Sequence, residues 1–310
     1  MLAAIGAFLY SRAMPSAFTL PSFAKINWTL RILGKRDDGF HQLFTVFQTV
    51  SLCDSITFTA RDEPLLLTCS DASVPTDERN LIIMAAEALR SVFGVNKGAA
   101  IHLEKRIPSP GGLGGGSSNA AAALFGLAKL WQIEAAEDDL RQIACTLGSD
   151  VPFFLSGGTA IGHGRGEMIE SIGDVNEPNI LIVTPEIRVG TKEAYEGLKL
   201  VALTNEASDR ILRDCRKDAE SLDPRHSVLK NDFEESVFDA YPEIRRVKET
   251  LLELGAVNAA MSGSGASVFA IFDKEETRQT AFKALDHEST WRKFAVATIS
   301  RAEYREALKF

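Results

Sequence analysis

The strongest candidate for chemistry is a glycine-rich stretch in the first half of the chain. Five of the six residues 111–116 are glycine, and the run Ile107–Trp131 reads IPSPGGLGGGSSNAAAALFGLAKLW. Glycines let the backbone approach a ligand closely because no Cβ intrudes. Successive N–H groups and a helix N-terminus then present positive dipole to an anion. The stretch therefore predicts a phosphate-binding loop, although a flexible loop would also explain the glycines.

Two common phosphate-binding patterns do not fit this loop. A Walker A motif needs Ser or Thr after Gly-Lys, but Gly34-Lys35 is followed by Arg36. A dinucleotide fingerprint needs Gly or Ala where Asn119 stands. An NAD-dependent oxidoreductase is therefore disfavoured.

Two polar residues near the start of the chain could serve the same anion. Phe18–Leu33 is typical of a strand or strand pair, and Lys25 and Asn27 lie two residues apart. Such spacing places both side chains on one face. A buried lysine needs an anionic partner, whereas a lysine on a solvent face needs none. The residues alone leave both interpretations open.

An acidic residue follows a predicted helix. Glu137–Leu147 has helical spacing and ends at Gly148, and the chain continues as SDVPFF. Asp150 could simply cap a short helix that begins near the proline. It could also act as an acid or base, and one side chain can do both.

The elements around these residues are predicted from periodicity. A strand over Ala99–Ile107 leads into the loop, and Ser117 or Ser118 is expected to cap the following helix. That helix should bury Leu124, Leu127, Ala128 and Trp131. An earlier helix over Asn80–Phe93 should bury Leu81, Met84, Ala85 and Ala88.

The second half alternates strands and helices. The predicted elements are a buried strand (Asn179–Val183), a helix (Pro242–Leu254), a strand–glycine turn–strand unit (Ala259–Phe272), a helix (Lys274–Leu285) and a last strand (Phe294–Ser300). The polar stretch 173–178 marks a domain boundary. We predict an extension over 1–19, an N-terminal domain over 20–173 and a C-terminal domain over 174–310.

Composition limits the partners and the compartment. The chain has 310 residues, 45% hydrophobic and 25% charged, with a net charge of −8. This acidic balance argues against nucleic acid. Four scattered cysteines without a CxxC pair indicate free thiols in a reducing cytoplasm and disfavour zinc. The apolar first ten residues are too short for a membrane span and lack the basic region of a signal peptide. Two interpretations stay open: a natural start at Met14, or a loosely ordered extension.

The loop carries a family resemblance. GGLGGGSSNAAA is similar to the phosphate loop of the GHMP small-molecule kinases. That resemblance implies a two-domain α+β fold with the active site in the interdomain cleft, and ATP with Mg²⁺. DERNLI is similar to a family segment near the nucleotide, although Asn80 would also serve as a helix cap. The implied ATP-binding residues are Asn80, Pro108, Ser109, Pro110, Gly111, Gly112, Leu113, Gly114, Gly115, Gly116, Ser117 and Ser118.

Two further segments narrow the resemblance. PSFAKINWTLRILGKRDDGFHQL and LGSDVPFF resemble the 4-diphosphocytidyl-2-C-methyl-D-erythritol kinases, which phosphorylate a 2-hydroxyl in the non-mevalonate isoprenoid route. The resemblance implies Lys25 and Asp150 as catalytic residues, with Asp150 as the base and Lys25 neutralising developing charge. The implied substrate-binding residues are Asn27, Phe40, His41, Thr191, Tyr195, Gly263, Ser264 and Gly265.

The sequence departs from the family pattern at three positions. Phe40 stands where tyrosine is usual, which keeps a stacking ring but removes a hydroxyl. Pro110 replaces a small residue and removes one N–H donor. Asn119 replaces a frequent aspartate. The alternatives are another GHMP kinase, acting on homoserine, mevalonate or a sugar, and a catalytically silent nucleotide-binding regulator. The expected partners are ATP and a cytidyl substrate, with no nucleic acid and no membrane, and a monomer or homodimer.

Overall fold

The structure is a computed structural model that describes residues 17–35, 39–198 and 205–309. The predicted start at Met14 and most of the predicted extension lie outside the described residues. So do Arg36, Asp37 and Asp38 of the RDDGFH segment. Residues 17–19, which we assigned to the extension, form the beginning of the first strand.

The first half of the chain forms six strands and four helices within the described residues. They are β1 (Ala17–Lys35), β2 (His41–Arg61), β3 (Leu66–Cys69), α1 (Leu81–Phe93), β4 (Gly98–Glu104), α2 (Gly115–Trp131), α3 (Glu137–Leu147), α4 (Phe153–Ser156), β5 (Thr159–Gly164) and β6 (Met168–Ser171).

The second half forms further strands and helices. They are β7 (Ile180–Pro185), α5 (Thr191–Glu196), α6 (Asn205–Glu220), β8 (Lys230–Asn231), α7 (Glu234–Ala240), α8 (Pro242–Glu253), β9 (Asn258–Met261), β10 (Val268–Ile271), α9 (Glu275–Ala284), a 3₁₀ turn (Leu285–His287), β11 (Trp291–Val296) and α10 (Arg301–Leu308).

Two sheets form the centre of the molecule. The larger has the order β3-β4-β2-β1-β8, with β5 paired to β2 and β6 to β5, and the smaller has the order β11-β7-β10-β9. A shared apolar cluster joins them, because Ile26 and Trp28 of β1 belong to the same cluster as Ile180 and Ile182 of β7. The outer face of each sheet is covered by helices. The mixed architecture is the predicted α+β fold.

The predicted domain boundary at 173/174 stays a prediction. Residues 172–179 link β6 to β7 without forming a helix or strand. However, β8 belongs to the larger sheet although it lies in the second half of the chain, since Leu30 of β1 pairs with Asn231. The larger sheet therefore takes a strand from beyond the predicted boundary.

Strand β1 is long and twice irregular next to the polar pair that we singled out. It pairs antiparallel with β2, and its register shifts between Phe23 and Ala24 and again between Asn27 and Thr29. Ala24, Ile26 and Trp28 are fully buried between the sheets. The intervening Lys25 and Asn27 therefore face the other side, where the glycine loop lies.

Helix α2 is buried along most of its length. The predicted inward residues Leu124, Leu127, Ala128 and Trp131 are all buried. Gly126 allows this close packing, because a Cβ there would lie 2.4 Å from the Phe58 ring. An alanine-rich helix can thus lie directly against the sheet.

Three local predictions are wrong. Neither Ser117 nor Ser118 caps α2. The N-cap is Gly114, whose backbone has the left-handed conformation. Helix α1 buries Ile82, Ala85, Ala86 and Leu89, so Ala85 is the one predicted residue that is buried, and Met84 is exposed. Its residues are apolar almost all round, so periodicity did not define the buried face. The last strand ends at Val296, and the sequence analysis missed α10 altogether.

Candidate active site

Lys25 and Asp150 meet at a cavity between the two halves of the molecule. The Lys25 Nζ lies 3.5 Å from Asp150 Oδ2. The cavity has a volume of about 310 Å³ and is lined by both residues, by the whole stretch 108–117 and by residues of the second half. Asp150 does not cap α4, whose N-cap is Pro152. The capping interpretation of Asp150 is therefore wrong.

The Lys25 ammonium group is held by the protein on three sides. Its Nζ donates to Asn27 Oδ1 at 2.7 Å and to the Gly112 carbonyl at 2.9 Å, and the third direction faces Asp150. The Lys25 side chain is only 3% exposed, whereas that of Asp150 is 34% exposed. Burial lowers the pKa of Lys25, and the nearby Asp150 carboxylate opposes that shift. The lysine is thus a fixed donor beside a carboxylate that solvent and ligands can reach.

Asn27 connects the first strand to the glycine turn of the second half. Its Oδ1 accepts from Lys25 Nζ and from Gly263 N at 2.9 Å, and its Nδ2 donates to Thr45 Oγ1 at 2.7 Å. The side chain is buried and lines the cavity. Its amide is therefore already bonded within the protein, which makes it an organiser of the site as well as a candidate contact.

The glycine loop packs against the turn that joins β9 to β10. The Gly112 carbonyl accepts from Ser262 Oγ at 2.9 Å, and Ser267 N donates to the Gly111 carbonyl at 3.2 Å. A Cβ on Gly112 would lie 2.0 Å from the Ser262 carbonyl oxygen, and its φ is +71°. Only glycine fits there, so the loop and the turn form one surface.

Most of the predicted ATP-binding residues line the cavity, but two do not. Residues 108–117 all line it. Ser118 is buried behind the loop, where its hydroxyl accepts from Ser22 Oγ. Asn80 caps α1 by accepting from Ile82 N. A nucleotide contact of Asn80 stays a prediction, and Leu81 lines the cavity in its place.

The residues expected to bind the acceptor lie at one side of the cavity. Thr191, Tyr195, Gly263, Ser264 and Gly265 line it, and a 3.4 Å hydroxyl–hydroxyl contact joins Thr191 to Ser264.

Aromatic rings extend this side of the cavity. The His41 ring stacks on Tyr195 with ring centroids 4.8 Å apart. The Phe40 ring is 52% exposed, and the Arg165 guanidinium lies 4.6 Å from its centroid. Phe40 and His41 thus lie beside the cavity rather than in its lining.

Burial shifts the titration of two of these groups. It raises the pKa of Tyr195 to about 12, with Asp150 adding to the shift, so the phenol stays protonated. Burial and the charge of Lys35 lower the pKa of His41. The imidazole is therefore neutral at pH 7 and can both donate and accept a hydrogen bond.

Sequence reasoning missed residues that shape the site. Asn231, which is not among the predicted site residues, donates to the carbonyls of Met261 and Gly263 at 2.7 and 2.8 Å. It thereby fixes the turn that contacts the glycine loop. Ser262, next to the predicted Gly263, bonds to the loop itself. The glycine turn indicated the region that contains Ser262, whereas no local pattern indicated the contacts of Asn231.

Comparisons with known proteins agree with this geometry. The model of the GHMP kinases N terminal domain matches residues 80–158, and that of the GHMP kinases C terminal region matches residues 204–289. A 4-diphosphocytidyl-2-C-methyl-D-erythritol kinase of Chlorobium phaeobacteroides strain BS1 is 42% identical over 267 residues, covering 85% of this chain and 92% of the relative. The chain belongs to the 4-diphosphocytidyl-2-C-methyl-D-erythritol kinases of the GHMP family.

Other similar proteins share the enzyme name or the fold. A kinase of the same name from Geobacter metallireducens is 38% identical and covers 91% of this GHMP kinase and 98% of the relative. A crystal structure of 4-(cytidine 5'-diphospho)-2C-methyl-D-erythritol kinase matches with a TM-score of 0.74 and 30% identity, over 91% of this chain and 99% of the other. A homoserine kinase from Cytophaga hutchinsonii shares the fold at 20% identity, with a TM-score of 0.72 over 94% and 97% of the two chains.

Two kinds of feature are absent from the described residues of this GHMP kinase. No helix among them is long and apolar enough to cross a membrane. No group of three or more His, Cys, Asp or Glu side chains among them could hold a metal ion.

Proposed function

We propose that this GHMP kinase transfers the γ-phosphoryl group of ATP to the 2-hydroxyl of 4-diphosphocytidyl-2-C-methyl-D-erythritol. The observation that carries the proposal is the Lys25–Asp150 pair, 3.5 Å apart at the edge of a glycine-lined cavity. Family membership supports the substrate, since relatives that cover most of the chain carry that enzyme name.

The glycine loop is the proposed site of the β- and γ-phosphates. Helix α2 begins at Gly115, so the first N–H groups of the helix have no partner within it and point toward the cavity end. These N–H groups present the positive end of the helix dipole to the cavity. Among the described lining residues, Asp150 is the only one with a carboxylate. An anionic triphosphate fits such a surface.

Asp150 is the proposed base. Its carboxylate orients the acceptor hydroxyl and takes its proton while the acceptor oxygen bonds to the γ-phosphorus and the bond to ADP breaks. Lys25 stabilises the negative charge that spreads over the transferred phosphoryl group. Because Asn27 and Gly112 already fix the ammonium group, little reorganisation is needed during the reaction.

Mg²⁺ fits the donor set of the cavity. This ion binds through one or two carboxylates together with substrate phosphates and water, so a dedicated cluster of protein ligands is not required. Ser117 and Asp150 are the lining side chains that would hold it, since Ser118 is committed to Ser22. When bound, it neutralises charge on the phosphates.

The cytidine end of the acceptor is assigned to the aromatic side of the cavity. The Phe40 ring, which is 52% exposed beside Arg165, is the proposed stacking partner of the base. The neutral His41 imidazole can exchange hydrogen bonds with the edge of cytosine. Thr191 and Tyr195 continue this surface toward Asp150. We also propose a cytoplasmic location, where ATP and the acceptor are available.

A panel of acceptors tests the proposal. The purified chain is incubated with ATP, Mg²⁺ and either the diphosphocytidyl compound, homoserine, mevalonate or galactose, and ADP release is followed. We expect turnover with the cytidyl compound to exceed that with the others, with the product carrying a new phosphomonoester by ³¹P NMR. Faster turnover of another alcohol would mean that the proposed acceptor is wrong, although the protein would still be a kinase. No turnover of any alcohol, with ATP still bound, would favour a silent nucleotide-binding protein.

A further inference from the structure

A second lysine–aspartate pair lies behind the glycine loop, away from the cavity. Asp54 on β2 is fully buried, and Lys105, just after β4, is 5% exposed. Lys105 Nζ donates to Asp54 Oδ2 at 2.8 Å and to the Ile107 carbonyl at 2.6 Å. Neither residue lines the cavity. The proposed mechanism does not use this pair.

The Asp54 carboxylate binds both ends of the loop. At the entry, its Oδ1 accepts from Arg106 N at 2.7 Å and from Ile107 N at 2.8 Å. At the exit, its Oδ2 accepts from Asn119 Nδ2 at 2.9 Å, within the first turns of α2. One buried carboxylate therefore ties together the two points between which the loop runs.

The same group of side chains reaches the strand that carries Lys25. Asn119 Nδ2 also donates to Ser22 Oγ at 2.8 Å, and Ser22 Oγ donates to Ser118 Oγ at 2.8 Å. The packing is tight, because a Cβ on Gly115 would lie 3.2 Å from Lys105 Nζ. The Lys105 ammonium group thus lies directly against Gly115, the first residue of α2.

We propose that Asp54, Lys105 and Asn119 form a positioning clamp that sets the loop in the geometry that binds the ATP phosphates. The inference rests on the proposed function to the extent that the loop binds ATP. A buried carboxylate is stable only when its oxygen atoms accept enough hydrogen bonds, and here all the donors come from the segments that flank the loop. Fixing both ends removes freedom that the loop would otherwise lose on binding the nucleotide. The clamp therefore acts on ATP affinity rather than on the chemical step.

Asn119→Ala tests the clamp with the smallest change. It removes the donor at the exit and leaves the Asp54–Lys105 pair in place. Loss of a hydrogen bond to a charged group predicts a rise of about tenfold in the KM for ATP. The kcat should stay within about threefold of wild type, since the reacting groups are untouched.

Asn258→Ala is the matched control. Asn258 also uses its amide to fix backbone, donating to the carbonyls of Pro224 and Ser227, but it lies away from the cavity. We expect both variants to lower the melting temperature and only Asn119→Ala to raise the KM for ATP. An equal KM in the two variants, or a fall in kcat at unchanged KM, would overturn the clamp.

A second variant keeps the test decisive if Asn119→Ala does not fold. Asn119→Leu removes both amide donors and keeps the number and branching of the side-chain heavy atoms, and the same tenfold rise is expected. Binding of ADP by wild type, measured by calorimetry, distinguishes failure of the proposed function from failure of the clamp. Wild type that binds no ADP and phosphorylates no alcohol would refute the proposed function. Wild type that does both, beside Asn119 variants with unchanged ADP affinity, would refute the clamp alone.

Discussion

Two lysine–aspartate pairs lie on opposite sides of one glycine loop, and they are built differently. Lys25 and Asp150 are 3.5 Å apart, and the carboxylate is 34% exposed at the cavity. Lys105 and Asp54 are 2.8 Å apart, and the carboxylate is fully buried. The first carboxylate keeps room for a hydroxyl, whereas the second is saturated by four donors.

This difference separates two uses of the same residue types. A base must be within reach of the proton that it takes, so its oxygen atoms cannot all be engaged by the protein. A carboxylate that fixes backbone works best when every lone pair is engaged, because an unmet acceptor in the interior is costly. Ion pairing alone therefore identifies neither role; accessibility does.

The largest expected effect comes from exchanging each lysine for methionine. Lys25→Met should lower kcat by about 100-fold or more, since it removes a fixed positive charge beside the transferred phosphoryl group. Lys105→Met should instead raise the KM for ATP, because Asp54 is left unpaired behind the loop. Steady-state kinetics of both variants measures the contrast. If Lys25→Met and Lys105→Met changed kcat and KM in the same way, the two pairs would not have different roles.

A smaller effect is expected from alanine in the loop itself. Gly112→Ala places a Cβ 2.0 Å from a carbonyl oxygen at a φ of +71°. Strain of about 1–3 kcal/mol should lower the melting temperature and reduce kcat/KM at least about tenfold. Gly173→Ala is the control, because a Cβ there would meet nothing within 4 Å, its φ is not left-handed, and it does not line the cavity. A loss of activity in the control as large as in Gly112→Ala would mean that the close contact with the second half is unimportant.

His41→Ala should affect one substrate only. Loss of a hydrogen bond to cytosine predicts a rise of about tenfold in the KM for the cytidyl acceptor, with the KM for ATP unchanged. His226→Ala serves as the control, since that imidazole is exposed and lies away from the cavity. Equal changes in both substrate constants of His41→Ala would contradict its placement at the acceptor end.

The smallest effect is a pH dependence set by Lys25. Burial lowers its pKa below the ordinary 10.5, so the amine loses its charge earlier than a surface lysine does. Activity should therefore fall as the pH rises toward 10.5. Over the same range the contribution of Lys25 to stability should rise, because the unfolded state then binds the extra proton. Tyr195, with a pKa raised to about 12, does not titrate there. Activity that stays flat to pH 10.5 in a protein that remains folded would contradict the assignment.

Local features of the fold were predictable because they depend on neighbours in sequence. The strand over Phe18–Leu33, the strand–loop–helix unit around the glycines and the helix at Glu137–Leu147 all follow from periodicity. The start of α2 was not predictable, since a glycine in the left-handed conformation takes the place of the expected serine cap. Propensity describes common caps, and this helix begins in an uncommon way.

The site was predictable only in part. The residues alone did not decide whether Lys25 is buried or exposed. The family resemblance implied that Lys25 and Asp150 act together. The roles of Asp54 and Asn231 depend on contacts with distant segments, such as Asn119 and the Met261–Gly263 turn. No local pattern indicates such contacts, because an aspartate in a strand and an asparagine before a helix are both ordinary.

The most direct test of the account is the turnover of Asp150→Asn beside its affinity for ATP. If the accessible carboxylate is the base, kcat with the cytidyl acceptor falls by about 100-fold or more. The dissociation constant for ATP, measured without Mg²⁺, should stay close to that of wild type, because the loop and its clamp are unchanged. Near-normal turnover in Asp150→Asn would contradict the role of the Lys25–Asp150 pair as the reacting centre.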